Sequence, residues 1–326
     1  MKFILKKILT VIKKYREKSY DNNLFKALNS LKTINKDFNI TLIDIGAAGE
    51  IEPRWKSMSR HLNYIGFEPD ERSRKLMKNN TNCYKYFIYP NAVWEKKTII
   101  NINFTKGPQV SSFYLPNANF TNLFPKPERF DVKDVISIDS VALDSFDISN
   151  LDFIKIDIQG GELNVLKGAK ESLNSTIGLE IEVEFLELYK DQPLYGDLVN
   201  FLKTKDFEFI DFVNLCRWER KEHNGFGQCV FGDALFLKSP EFMILKYNND
   251  YLMLSKYLGI CLVYNRHDLI DRLIELSDKK FKDSIKPFVK SITYFKNKYK
   301  NLKFFNKVFN IFLQLFFKNT KSFIQY

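Results

Sequence analysis

ITLIDIGAAGE, residues 40–50, is an apolar run that stops at Gly46 and turns polar by Glu50. Its length and β-branched content suit a short buried strand, and the small residues 46–49 let the backbone turn sharply with no Cβ in the way. Working outward, NYIGFEP (63–69) repeats the pattern and ends Gly66-Phe67-Glu68-Pro69. ERSRKLMKN (71–79) has the charge and Leu/Met spacing of a helix, CYKYFIYPNAVW (83–94) reads as a third strand running out at Pro90, and TIININ (98–103) alternates as an added β-element. A long loop over 105–130 follows, then an extended segment at 134–146, a buried strand LDFIKIDIQG (151–160), and a helix ELNVLKGAKESL (162–173). TIGLEIEVEFL (176–186) is strongly β, 194–206 is helical, and 207–213 with 228–238 make an antiparallel hairpin. Strands alternating with helices specify a doubly wound, mostly parallel sheet.

In such a sheet a ligand sits outside the carboxyl ends of the strands, where the strand order reverses. A carboxylate at the end of the second strand, about twenty residues past the glycine turn, suits the hydroxyls of an adenosine ribose, and Glu68 stands there. Residues 46–51 read G-A-A-G-E-I and fail the second and third glycines of the dinucleotide fingerprint. Asp44 and Glu50 would repel a pyrophosphate and suit a cofactor carrying an ammonium and a sulfonium. The expected cofactor is therefore S-adenosylmethionine.

The motifs D-I-G-A-A-G (44–49), G-F-E-P-D (66–70), N-A-V (91–93), K-I-D-I-Q-G-G-E-L-N-V-L-K-G-A (155–169) and G-D-A-L-F (232–236) carry a family resemblance. Over roughly 40–238 the chain resembles the FkbM-type methyltransferases, which use S-adenosylmethionine and typically methylate oxygen on sugars or natural products. The resemblance implies a class I Rossmann-like α/β fold, a mostly parallel seven-stranded sheet with a terminal antiparallel hairpin. It also implies that Asp44, Gly46, Ala47, Gly49, Glu68 and Pro69 line the cofactor, with Asn91 and Ala92 near the adenine. Two positions depart from the family: Gln159 stands where Glu is common, and Glu50 where Gly is common.

Methyl transfer to oxygen needs a collinear acceptor, methyl and sulfur, and a group to take the hydroxyl proton. Asp157 is the first candidate for base or acceptor-orienting group; the same side chain could instead cap the Gly160-Gly161 turn. Glu182 and Glu184 alternate onto a common face and are candidates for orienting a sugar hydroxyl, the other reading being a solvated strand face or an ion pair. Ser111, Ser112 and Tyr114, in the loop segment 107–117, either contact the acceptor from a lid or belong to a polar surface loop. No metal site is assigned: Cys216, His223 and Cys229 lack a fourth ligand, and the four cysteines read as free thiols.

The net charge of +11 is concentrated at the ends. Residues 279–326 hold twelve Lys and one acid, Asp283, and residues 1–20 hold seven Lys/Arg and one acid, so the chain between them is acidic. The expected organisation is a basic amphipathic helical extension (1–38), a methyltransferase domain (39–239) and a helical, basic, aromatic-rich region (240–326). Ile4, Ile8 and Ile12 form one helical stripe, and Phe305, Val308, Ile311, Phe312 and Leu315 another. Basic aromatic helices suit an anionic membrane surface, here through 1–18 and 279–326, and suit nucleic acid less directly; the third reading of the tail is a helix packed on the protein body with its lysines in water. With no signal-peptide core and no spanning run, the chain reads as cytoplasmic, peripheral at the inner face of a membrane. The acceptor expected is a saccharide or glycolipid. The alternatives are an RNA methyltransferase, against which stand the missing [ND]-P-P-[YFW] and Pro-Cys motifs, and a non-catalytic scaffold keeping the fold.

Overall fold

A computed structural model describes residues 22–77, 82–148, 150–223 and 225–293. The expected helix at 1–18 and the stripe at 305–315 lie outside the described residues. The chain divides into two compact units, one of residues 38–277 and one drawn from 1–37 and 278–326.

In the smaller unit, helix α1 (22–34) buries Leu24, Ala27, Leu28 and Leu31 at helical spacing. The larger unit begins with β1 (Ile40–Ile45), α2 (Pro53–Lys56), β2 (Leu62–Phe67), α3 (Glu71–Leu76) and β3 (Lys85–Tyr89). The short strand β4 (Ala92–Val93), β5 (Thr98–Thr105), the helical turn α4 (Ala118–Thr121) and β6 (Val132–Val141) follow. Then come β7 (Phe153–Ile156), α5 (Glu162–Lys167), α6 (Ser172–Ser175), β8 (Gly178–Glu184), α7 (Tyr195–Lys203), β9 (Glu208–Trp218) and β10 (Gln228–Leu237). Helices α8 (Pro240–Tyr247), α9 (Tyr251–Val263) and α10 (His267–Leu276) complete the unit, and α11 (Lys279–Ser284) belongs to the smaller one.

Among the described residues seven strands form one sheet in the order β3-β2-β1-β7-β8-β10-β9, parallel except for β10, which is antiparallel to both neighbours. This is the doubly wound, mostly parallel sheet that the strand–helix alternation predicts, and with its terminal hairpin it is the Rossmann-like fold that the resemblance implies. The order reverses between β1 and β7, which puts the crevice at their carboxyl ends. One face buries Ile43, Ile45, Ile154, Ile156, Leu179, Ile181 and Val183 against α5 and α7. The other meets α9, where Gly259 closes on Phe38, Met58 and Ile40. Lys256 of α9 pairs with Asp152 at 2.8 Å, both buried, and Asp152 also accepts from the Thr41 amide. Helices α8–α10 thus lie in the same unit as the sheet, whereas the sequence reading set a boundary at 239/240.

The region between β3 and β7 departs from the simple alternation. Strands β4, β6 and β5 form a second sheet, so the extended segments read at 98–103 and 134–146 pair with each other and not with the main sheet. The long loop at 105–130 contains short helical turns at Pro108–Val110, Ala118–Thr121 and Pro127–Phe130. The helix expected over 162–173 breaks at Gly168, where a Cβ would stand 2.1 Å from the Trp94 carbonyl oxygen. Gly168→Ala must displace backbone rather than a side chain, so we expect a loss of about 1–3 kcal/mol. Urea denaturation reads it, and an unchanged midpoint would mean that the Trp94 carbonyl moves aside freely.

Candidate active site

The glycine turn is built by three strand ends meeting. The Gly46 and Ala47 amides both donate to the Phe67 carbonyl (3.0 and 3.1 Å), and the Asp157 amide donates to the Ile45 carbonyl at 3.0 Å. Gly46 sits at φ +83°, and a Cβ there would lie 1.9 Å from the Asp157 carbonyl oxygen. Only glycine combines this φ with this approach.

Beside the turn opens a cavity of about 580 Å³. Of the residues singled out from sequence, Gly46, Glu68, Pro69, Ser111, Ser112, Asp157 and Glu182 line it. Asp44, Ala47, Gly49, Asn91, Ala92, Tyr114 and Glu184 are not on its wall. Ala92 is buried in β4, paired with Ser140 of the second sheet. Asp44 is buried, accepts the Tyr64 hydroxyl at 2.7 Å and faces the Lys155 ammonium at 3.5 Å. Tyr114 donates its hydroxyl to Asn164 at 2.9 Å, and Ser112 donates to the Gln159 carbonyl at 2.6 Å. These two bonds fasten the segment after β5 onto the 157–164 block. The solvated-loop reading of that segment is set aside: Ser112 is buried, and the loop forms cavity wall.

Glu68 is buried at the rim, and burial raises its carboxyl above the usual range. Its Oε1 accepts from the Asp70 amide at 2.8 Å, and its Oε2 takes no partner among the described residues. A carboxylate oxygen left open on a cavity wall, on a residue otherwise buried, fits a ribose hydroxyl.

Alternation in L-E-I-E-V-E puts Glu180, Glu182 and Glu184 on one face of β8, and all three are buried. The solvated-strand reading of Glu182 and Glu184 is therefore corrected: the strand lies inside the sheet, with β7 on one side and β10 on the other. Burial, with Asp157 beside it, lifts Glu182 well above the usual carboxylate range. Burial does the same to Glu184, whose Oε2 has no hydrogen-bond partner. Asp157 is the accessible member, its side chain 39% exposed, with Lys155 at 3.8 Å. Burial alone would lower Lys155, but Asp44 and Asp157 more than offset it and raise its pKa.

Gln159 ties the carboxylates together. Its Nε2 donates to Asp157 Oδ1 (3.1 Å) and Glu182 Oε2 (2.5 Å), and its Oε1 accepts the Tyr189 hydroxyl (3.2 Å). The turn it occupies has consecutive left-handed residues, Gln159 at φ +62° and Gly160 at φ +102°. The carboxylate that anchors this turn is Glu162, whose Oε1 accepts from the Ile158 and Gly160 amides at 3.0 and 3.2 Å. That leaves Asp157 free of the capping role. Sequence reasoning gave no role to Glu162 or Lys155, although both stand in the 155–169 block. Among the described residues no group of three or more His, Cys, Asp or Glu could hold a metal ion.

A family model for the methyltransferase FkbM domain matches residues 44–209, half of the chain. No curated protein matches the chain. Among solved structures it is similar to an FkbM methyltransferase from Methylobacillus flagellatus, at 16% identity and a TM-score of 0.36, over 60% of this chain and 43% of that one. The chain thus spans less than half the length of that protein. It is also similar to a precorrin-6y methyltransferase from Geobacter metallireducens, at 10% identity and a TM-score of 0.31, over 65% of this chain and 87% of that one.

Burial pushes Glu162 from its ordinary 4.5 up to about 7, against the pull of its own, the Ile158 and the Gly160 amides. The folded state then holds a proton that the unfolded chain releases near 4.5, so this stabilisation is full below about 4.5 and fades as pH rises through about 7. Glu162→Gln keeps the acceptor oxygen and should flatten the melting temperature over that window. Glu162→Ala orphans two amides and should lose about 1–3 kcal/mol at every pH. A Gln variant with the wild-type pH profile would refute the assignment.

Proposed function

The chain belongs to the FkbM methyltransferase domain family, and from that premise we propose that it is an S-adenosylmethionine-dependent O-methyltransferase acting on a hydroxyl of a glycan or lipid-linked saccharide. The observation that carries this reading is one cavity walled by the Gly46 turn, the open carboxylate of Glu68 and the Asp157–Gln159–Glu182 cluster. When bound, S-adenosylmethionine supplies a methyl on a sulfonium, whose C–S bond breaks with its electron pair passing to sulfur.

The chain's own residues supply the rest. Glu68 Oε2 offers an acceptor to the ribose, and the Gly46 turn admits the ligand close to the backbone. Asp157 takes the hydroxyl proton as the acceptor oxygen bonds to the methyl carbon. It suits that role because it is the accessible carboxylate of the cluster, held by the Gln159 amide and by Lys155. Glu182, pushed toward its neutral form by burial, orients the acceptor without adding a second full negative charge. Ser111 and Ser112 present the wall of the 107–117 segment to the acceptor.

Titration calorimetry with S-adenosylmethionine tests the donor half. Glu68→Ala should weaken binding about ten- to a hundredfold, and unchanged affinity would remove the ribose placement. Asp157→Asn should leave that affinity near wild type while lowering kcat about 10²- to 10⁴-fold on any acceptor found. A variant as active as wild type would exclude Asp157 as the base.

A lipid-linked acceptor also accounts for the basic ends. Among the described residues no helix is long and apolar enough to cross a membrane. The attachment proposed through 1–18 and 279–326 is peripheral, resting on their lysines and aromatic side chains. Flotation of the full chain should recover it with phosphatidylserine-containing vesicles, less with neutral ones, and less again at high salt. Equal recovery with both vesicle types would end the membrane proposal.

A further inference from the structure

The cavity wall carries one basic side chain, Arg129, among its described lining residues. Lys126 enters the left-handed region at φ +58° and launches the turn Pro127–Phe130, which brings Arg129 onto the cavity wall. The backbone there is fixed by the Gly107 amide, which donates to the Arg129 carbonyl at 2.8 Å. A Cβ at residue 107 would lie 3.0 Å from the Arg129 Cβ, so glycine allows this approach. The guanidinium carbon stands 4.4 Å over the Trp218 ring and 5.1 Å from the Phe130 ring centre. Trp218 is itself packed edge-on against Phe124 and Phe231. The aromatic wall holds the guanidinium in one place before any ligand arrives.

Arg129 has no carboxylate within ion-pairing distance among the described residues, and its Nε is buried without a hydrogen-bond partner. Removing a guanidinium N–H from water with no acceptor is costly, and stacking on Trp218 recovers only part of that cost. Arg54, Arg72, Arg266 and Arg272 each meet a carboxylate, and Arg74, Arg217 and Arg220 each donate to a carbonyl or amide oxygen. Arg129 departs from them while lining the cavity that also holds Asp157 and Glu182. Its planar fork matches a carboxylate or a phosphate.

We propose that the acceptor is an anionic saccharide, whose carboxylate or phosphate is bound by Arg129. This deepens the function proposed above and rests on it, since it names what the acceptor side of the same cavity selects. The anion sits against Arg129, the one basic side chain among the described lining residues, because Asp157 would repel it, and a hydroxyl is thereby left for Asp157. Arg129 is then a specificity-determining residue that orients the acceptor and takes no part in the proton transfer.

The test uses the full-length protein loaded with S-adenosylhomocysteine, titrated in turn with D-glucuronate, D-glucose 1-phosphate and D-glucose. At least one anionic sugar should bind about tenfold or more tightly than glucose; which one does so distinguishes a carboxylate from a phosphate acceptor. Arg129→Gln should abolish that preference while S-adenosylhomocysteine still binds, which also reports that the variant folds. Arg129→Lys keeps the charge without the fork, should fall between, and decides the matter if the Gln variant fails to fold. The proposal is overturned if neither anionic sugar exceeds glucose, or if the preference survives loss of the guanidinium. Failure of wild type to bind S-adenosylhomocysteine would instead count against the methyl-transfer reading. The sugar titrations on the free protein would then still decide the anion site by the same two comparisons.

Discussion

Gly46 presses its Cα against the carbonyl of Asp157, and no side chain fits between them. The contact exists because β1 and β7 are adjacent parallel strands that end at the same height, with Asp157 bonded back to Ile45. On the other side the Phe67 carbonyl receives both amides of the turn. Three strand ends are thereby locked into one corner of the sheet. Glu68 follows Phe67 and Asp157 follows Ile156, so the two carboxylates share one cavity wall by construction. A bulkier corner would separate these two carboxylates as well as strain the turn.

The same sheet face carries an unusual load. Asp44, Lys155 and Glu180 are neighbours across β1, β7 and β8, and Glu182 faces Asp233 of β10. Buried charges persist only when paired or when their pKa moves. Both responses occur here. Lys155 lies between Asp44 and Asp157, and Arg54 reaches Glu180 at 3.4 Å. Glu180, Glu182, Glu184 and Asp233 are raised, burial being the largest cause in each. The consequence is a division of labour set by depth: the deep carboxylates drift toward neutrality, while Asp157 stays in contact with the cavity and with a cation.

Much of this was legible in the chain. D-I-G-A-A-G, Glu68 and the strand–helix alternation specified the sheet and the corner, because a strand that stops at small residues leaves a strong local signature. Alternation in L-E-I-E-V-E revealed that the glutamates share a face. It could not reveal that the face is buried, since burial depends on β10 inserting between β8 and β9, a long-range event. Glu162 escaped for a similar reason: a carboxylate at the start of a helix looks like an ordinary first-turn acid, and only the folded turn aims it back at Ile158 and Gly160. Strands β5 and β6 gave clear local signals, but their pairing into a separate sheet depends on partners from 42 (Thr98 and Ser140) down to 27 residues apart (Thr105 and Val132) in the chain. Arg129 gave no signal at all, lying in a loop whose Pro, Asn and Gly content spoke only of turns.

Gln159 shows how a single departure from a family pattern is read physically. Its amide nitrogen donates to two carboxylates at once, which a glutamate at this position could not do. A carboxylate there would add a third acid beside Asp157 and Glu182 in a site already shielded from water, and its charge would repel theirs. The amide adds no charge and fixes the Asp157 carboxylate in place. Its carbonyl oxygen meanwhile accepts from Tyr189, and its backbone carbonyl receives Ser112. Through one residue the acid, the strand behind it and the segment that walls the cavity share a common geometry, so the left-handed backbone at 159 is held from four directions.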